Sequence, residues 1–103
     1  MRRANRTDKK DALIEMRNIL NIFDPENLSP GVPNCAPINE YESEAGQILS
    51  FILNNREKIV DNKQILIEKI NEIWKEEFGN SSKNVEEIVE HIFVQFLNPK
   101  TNQ

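Results

Sequence analysis

Apolar residues recur at every third or fourth position along most of this chain, which is the period of an α-helix. On the first such stretch, Leu13, Met16 and Leu20 fall on one helical face. No stretch of comparable length alternates as a half-buried strand does, although residues 65–67 are rich in β-branched side chains. The pattern therefore predicts an all-α protein with helices over residues 8–22, 40–54, 61–78 and 84–98.

The predicted helix boundaries depend on residues that favour helix ends. Asp61 with Gln64 three positions later has the pattern of a capping box, and residues 84–87 repeat it. Gly79 suits the end of the third helix because glycine readily adopts positive φ. Residues 54–58 are interpreted as a turn between the second and third helices or as a frayed helix end. Short connections of this kind predict a compact, four-helix bundle-like domain.

One long connection interrupts this pattern. Residues 24–39, which we call the proline loop, contain four prolines and separate the first two predicted helices. Loops of this length are uncommon in compact domains and are usually either functional or disordered. Because it carries Leu28, Val32 and Ile38, we predict that the proline loop packs against the domain.

Residues on both sides of the proline loop are predicted to hold it in place. Tyr41 opens the second helix, where its ring is placed to pack under the loop and its hydroxyl to bond a loop carbonyl. We interpret Phe23, Asp24 and Tyr41, together with Glu44, as a cluster that fixes the loop. The alternative interpretation of this cluster is a ligand-binding site.

The net charge of −4 at pH 7 is unevenly distributed along the chain. Residues 1–10 carry a net charge of +4, so the rest of the chain carries −8. We predict one helical domain over residues 8–98, between a disordered basic tail at 1–7 and a C-terminal tail at 99–103. The acidic body favours basic partners and disfavours nucleic acid, whose binding needs lysine and arginine. Contact between the basic tail and RNA is the alternative.

Three features that the sequence lacks lead to a prediction of its cellular compartment. No apolar run approaches the ~20 residues that a membrane span needs, and none follows the basic start as in a secretory signal. The single cysteine, Cys35, allows no disulfide within the chain. We therefore predict a cytoplasmic protein without membrane association, and the oligomeric state stays open.

The sequence predicts neither an enzyme nor a cofactor or metal site. His91 is the single histidine, and Ile88 stands where a Glu-x-x-His metal motif needs glutamate. Nucleophilic catalysis by Cys35 with His91 as its base is the alternative. No helix start or basic residue near Cys35 in the sequence activates its thiol, so an incidental cysteine is favoured.

Two sets of glutamates are the candidate binding residues. One set occupies the first turn of the second helix, where negative charge interacts favourably with the helix dipole. The other recurs at four-residue spacing on the third helix and shares one face. A solvated helix face is the alternative interpretation. The predicted partner-binding residues are Glu40, Glu42 and Glu44 in the first set and Glu68, Glu72, Glu76 and Glu77 in the second.

Three short motifs follow one another along the chain: residues 23–25 (Phe-Asp-Pro), residues 30–33 (Pro-Gly-Val-Pro) and residues 41–44 (Tyr-Glu-Ser-Glu). Together with residues 74–79, they resemble a family of small helical, mostly uncharacterised bacterial proteins. Some proteins of this kind resemble immunity proteins encoded beside secreted toxins, including those of contact-dependent growth inhibition. The loop here is longer than in that pattern, and Phe23 stands where tryptophan is usual.

The resemblance and the charge distribution lead to one hypothesis and one alternative. The hypothesis is an immunity protein, a non-enzymatic inhibitor that binds a cognate toxin domain through an acidic surface. Toxins that act on nucleic acid have basic sites, so a nuclease domain is a partner of the expected kind. The alternative is a small regulatory or nucleic-acid-associated helical protein that uses its basic tail.

Overall fold

Four helices form in the order that the hydrophobic pattern predicts. The computed structural model describes residues 5–97, with side chains from residue 10 onward. The helices are α1 (Asn5–Phe23), α2 (Glu42–Asp61), α3 (Lys63–Phe78) and α4 (Val85–Ile92), and a π-helical segment (Phe93–Leu97) continues α4. Residues 5–97 contain no β-strand. The predicted C-terminal tail and the first four residues of the predicted basic tail lie outside the described residues.

Contacts between the helices close them into a bundle. α1 packs against α2 and α4, and α3 packs against the same two helices. Each helix contributes completely buried side chains to one apolar core, among them Leu20, Ile48, Trp74 and Ile88. Burial of this apolar surface, worth about 25 cal/mol per Å², is the main force that holds the helices together. The predicted all-α bundle, with its long loop between the first two helices, is confirmed.

The boundaries of the first three helices differ from those predicted. α1 begins at Asn5, inside the predicted tail. α2 passes through the predicted turn at 54–58 with only a kink at Asn55 (φ −135°, ψ 26°) and ends at Asp61. The extension buries Ile59 completely, and this tertiary contact outweighs the local turn signal.

Two predicted helix caps also need correction. α3 is capped by Asn62, one residue after the predicted Asp61, because the Asn62 side chain accepts a hydrogen bond from the Gln64 amide at 3.1 Å. Asn84 precedes α4 in a left-handed conformation (φ +59°), and its side chain makes no capping hydrogen bond. Gly79 ends α3 as predicted, with φ +84°.

Within residues 5–97, no helix combines the length and the apolar character needed to cross a bilayer.

Candidate partner-binding surface at the start of helix α2

The carboxylate of Asp24 organises the first half of the proline loop. Its Oδ1 accepts the backbone N–H of Leu28 at 2.8 Å and the hydroxyl of Tyr41 at 2.7 Å, and its Oδ2 accepts the N–H of Ser29 at 2.9 Å. Burial raises the pKa of Asp24, but these three hydrogen bonds outweigh it, so the net shift is downward. Asp24 is therefore held as an ionised carboxylate at neutral pH.

Tyr41 and Trp74 join the proline loop to α3. The Tyr41 hydroxyl accepts the N–H of Glu26 at 3.0 Å, and the indole Nε1 of Trp74 donates to the Glu26 carboxylate at 2.8 Å. The two rings stack with 5.9 Å between their centroids. Burial raises the pKa of Tyr41 most, and the hydrogen bond to Asp24 raises it further. The Tyr41 hydroxyl therefore keeps its proton and remains a donor. We call Asp24, Glu26, Tyr41 and Trp74 the loop network.

Two of the four residues predicted to fix the loop, Asp24 and Tyr41, meet in this network, whereas Phe23 and Glu44 take no part in it. The Tyr41 hydroxyl bonds the Asp24 carboxylate, however, and not a loop carbonyl as predicted. Phe23 lies instead beside His91, with 5.1 Å between ring centroids. Sequence reasoning missed Glu26, because its bond to Trp74 spans 48 positions and no local pattern signals it.

The second half of the proline loop folds back on the first. The Gly31 N–H donates to the Ala36 carbonyl at 2.8 Å, and the Ala36 N–H donates to the Leu28 carbonyl at 3.3 Å. Leu28 packs against the core, whereas Val32 and Ile38 expose 50% and 56% of their surface. Of the three apolar residues from which packing was predicted, one therefore reaches the core.

One glutamate of the second predicted set, Glu77 at the end of α3, acts on a glutamate of the first set, Glu44 at the start of α2. Glu44 lies close enough to Glu77 and Glu40 for their negative charges to act on its carboxylate. Glu44 exposes only 4% of its surface, whereas Glu40 and Glu77 are exposed. We call these three residues the acidic cluster. Glu42, predicted with them, is half-buried in the same turn.

Glu44 is a buried carboxylate that lacks a full set of partners. Its Oε1 is inaccessible and has no hydrogen-bond partner. Burial raises the pKa of Glu44, its own backbone N–H lowers it, and the charges of Glu77 and Glu40 raise it again, so the net shift is upward. The start of α2 offsets part of the cost of this charge, because the helix dipole is positive there.

The other predicted glutamates lie apart from the acidic cluster. Glu68, Glu72 and Glu76 line a shallow groove of about 560 Å³ on α3 together with Lys75. Glu72 also pairs with Lys69 at 3.5 Å. The lysines in and beside this groove balance part of its negative charge, as the solvated-face interpretation expects.

The acidic cluster forms no ion pair with a lysine or arginine among the described side chains. The sequence contains no lysine or arginine between Arg17 and Arg56. Of the ion pairs that the side chains of residues 10–97 form, one joins Lys63 to Glu90 and the other lies on α3. Neither includes a member of the acidic cluster.

The residues considered for catalysis or metal binding lie elsewhere. Cys35 is a free, exposed thiol in the proline loop, and His91 is exposed on α4 beside Phe23. Among the described residues, no three His, Cys, Asp or Glu side chains are arranged to hold a metal ion. That the protein is not an enzyme stays a prediction.

Comparison of the chain with protein-family models, curated proteins and solved structures found no match. The family resemblance drawn from the short motifs therefore stays a prediction. The class that the fold defines is an all-α, four-helix domain. Any function has to be inferred from its own residues.

Proposed function

We propose that this protein is an immunity protein, a non-enzymatic inhibitor that binds a cognate toxin domain in the cytoplasm. The observation that carries the proposal is the acidic cluster, in which the charges of Glu40 and Glu77 act on the buried Glu44 and no ion pair with a described lysine or arginine compensates them. An uncompensated negative surface attracts a basic partner and disfavours acidic ones. The resemblance of the sequence motifs to immunity proteins supports the same assignment.

The charge distribution also indicates that the partner carries a positively charged surface. A toxin that cleaves or modifies nucleic acid needs a positively charged surface to bind phosphates. An acidic inhibitor is steered onto such a surface, and association of this kind is fast at low salt and slows as salt screens the charges. We therefore propose a basic toxin domain, such as a nuclease, as the partner.

The proposal assigns binding to the acidic cluster in preference to the groove on α3. Glu72 already pairs with Lys69, and Lys75 lines the groove beside Glu68 and Glu76. A partner cation gains less there because the local field is already reduced. This ranking between the two predicted sets of glutamates comes from the tertiary arrangement.

The test uses the full chain and the products of the open reading frames adjacent to its gene, among which the proposal expects a basic toxin domain. Affinity is measured by calorimetry for the natural chain, for Glu40→Lys/Glu77→Lys, and for the matched control Glu68→Lys/Glu76→Lys. We expect the cluster variant to bind at least about 100-fold more weakly, since a like charge replaces two contacts. The groove variant should lose about tenfold or less, because exposed rim charges contribute little.

Equal affinity in all three proteins would contradict binding through the acidic cluster. The alternative function, a regulatory or nucleic-acid-associated protein, depends on the five basic residues among positions 1–10. Recovery of nucleic acid by the full chain, lost when residues 1–10 are deleted, would favour this alternative over the inhibitor.

A further inference from the structure

Three large apolar side chains are exposed where the last turn of α1 meets the proline loop. Ile22, Val32 and Ile38 expose 70%, 50% and 56% of their surface. Single exposed apolar residues are ordinary on a protein surface, whereas several in one place mark an interaction site. We call these three residues the apolar patch.

Two contacts bring the three parts of the apolar patch together. The side-chain amide of Asn21 donates to the Ile38 carbonyl at 3.0 Å, which joins the last turn of α1 to the end of the proline loop. The Ile38 side chain also lies over Gly31, because a Cβ at Gly31 would be 3.5 Å from Ile38 Cδ1. Ile22 follows Asn21, and Val32 follows Gly31. Ile38 therefore lies at the junction of the three segments.

The proline loop holds the apolar patch in one arrangement. The Cys35 N–H donates to the Val32 carbonyl at 3.0 Å, and the Gly31 N–H donates to the Ala36 carbonyl at 2.8 Å. Prolines at positions 30, 33 and 37 restrict the backbone further, because their rings fix φ. A surface that is ordered before binding loses less conformational entropy when a partner arrives. The apolar patch is therefore preorganised for binding.

The charges beside the apolar patch indicate the chemistry of its partner. Asp24 follows Ile22 by two positions and Glu40 follows Ile38 by two, so each carboxylate residue has its Cα within about 8 Å of the patch backbone. Glu40 is exposed. An apolar centre with an acidic border is complementary to an apolar surface bordered by lysine or arginine.

A second copy of this chain fits the apolar patch less well. In a two-fold symmetric dimer the patch of one copy faces the patch of the other, so their acidic borders also meet. The sequence places no lysine or arginine between Arg17 and Arg56 to offset this repulsion. Arg17 itself is half-buried, and its guanidinium donates to the Asn18 side chain.

We propose that the apolar patch docks onto an apolar surface bordered by lysine or arginine on the partner protein, with Ile38 at the centre of the contact. The proposal rests on the proposed function, since it adds an apolar contact to the acidic surface that binds the same basic partner. Glu40 belongs to the acidic cluster and also borders the apolar patch, so the two surfaces adjoin. Burial of the apolar side chains supplies affinity, and the charges supply steering and specificity.

The first test follows the methyl signals of the full chain by ¹H–¹³C NMR. The probe is the peptide acetyl-Lys-Leu-Lys-Leu-Lys-amide, and two control peptides replace its lysines by glutamate or its leucines by serine. We expect the basic apolar peptide to shift the methyl signals of Ile22 and Ile38 in a saturable way, and both control peptides to leave them unchanged. The methyl signals of Leu53, which is equally exposed on α2, should not move.

Three results of this first test would overturn the proposal. One is the absence of a selective shift at Ile22 and Ile38 with the basic apolar peptide. Another is an equal shift with the acidic peptide. The last is a shift of the same signals that grows with protein concentration when no peptide is present, because it would identify a second copy as the occupant.

The second test measures affinity for the basic domain among the adjacent gene products. Ile22→Ala/Ile38→Ala should bind at least about tenfold more weakly, because it removes apolar area that the contact buries. The matched control Leu53→Ala/Val60→Ala also truncates two exposed side chains and should change affinity by less than about twofold. Because all four side chains are exposed, both variants should fold, which thermal unfolding verifies. Equal losses of affinity in the two variants would contradict docking at the apolar patch.

The two tests separate the docking surface from the inhibitor function. If the basic apolar peptide binds at the apolar patch while no adjacent gene product is bound, the docking surface stands and the proposed function fails. If the basic domain binds the natural chain and Ile22→Ala/Ile38→Ala equally well, the inhibitor function stands and the docking surface fails.

Discussion

The loop network and the acidic cluster are neighbours at the start of α2, but they differ in whether their carboxylates have hydrogen-bond partners. In the loop network, the Asp24 carboxylate accepts three hydrogen bonds and the Glu26 carboxylate accepts the indole N–H of Trp74. In the acidic cluster, Glu44 is buried with an oxygen that has no partner. Tyr41 and Glu44, one residue from each, are separated by less than one helical turn.

The difference is visible in the direction of the pKa shifts. Hydrogen bonds to the ionised form lower the pKa of Asp24 despite its burial, whereas burial and neighbouring charges raise the pKa of Glu44. Folding therefore favours the charged form of one carboxylate and the protonated form of the other. The loop network satisfies its buried polar groups and so stabilises the fold, whereas the burial of Glu44 beside two like charges opposes its ionised form.

We expect the largest loss of stability from a substitution that disrupts the loop network. Asp24→Ala removes the acceptor of three hydrogen bonds and leaves the Tyr41 hydroxyl and two loop amides without it, so the free energy of unfolding should fall by about 3 kcal/mol. Urea denaturation followed by circular dichroism at pH 7 measures the loss.

The pH dependence gives an independent check of Asp24. Because its folded-state pKa lies below the ordinary value of 3.8, its contribution is present above pH 3.8 and is lost as the pH falls through the folded value. Asp24→Asn should lack this acid-side loss. An identical acid limb in both proteins would contradict the assignment of Asp24 as an ionised acceptor.

A smaller effect is expected where the loop network meets α3. Glu26→Ala leaves the buried Nε1 of Trp74 without its acceptor, while the stacked rings stay in place. The free energy of unfolding should therefore fall by about 1.5 kcal/mol. Trp74 is the only tryptophan, and its fluorescence emission reports the change directly. Glu57→Ala, at an exposed position on α2, serves as the control and should leave both stability and emission unchanged.

The smallest change in stability is expected in the acidic cluster, and there the substitution should stabilise the protein. Glu44→Gln removes a buried charge beside two carboxylates, so stability at pH 7 should rise by about 1 kcal/mol. A raised folded-state pKa means that the contribution of Glu44 to stability is fully present below its ordinary value of 4.5 and is lost as the pH rises through the folded value. The gain in the variant should therefore grow from pH 4.5 to pH 7.

The measurement for Glu44→Gln is thermal unfolding at a series of pH values, with Glu76→Gln as the matched exposed control. A loss of stability in Glu44→Gln at pH 7 would show that the carboxylate is as well satisfied as that of Asp24. The contrast between the two regions would then disappear.

Much of the fold could be predicted because helical periodicity, glycine and proline act over a few neighbouring residues. The predictions failed where a distant contact overrode a local signal. Residues 54–58 look like a turn, but burial of Ile59 extends α2 through them. Asn84 has the sequence of a side-chain cap, but its left-handed backbone gives no capping hydrogen bond.

The all-α class, the position of the proline loop and the acidic character of residues 11–103 follow from the sequence alone, because they depend on composition and short-range spacing. Helix packing decides which glutamates lie near one another. It brings Glu77 near enough to Glu44 for its charge to raise the pKa of Glu44, because α2 and α3 bury their apolar faces against each other. It joins Glu26 to Trp74 for the same reason. Such pairs depend on how the helices pack against one another, and the spacing of residues along the chain does not predict that packing.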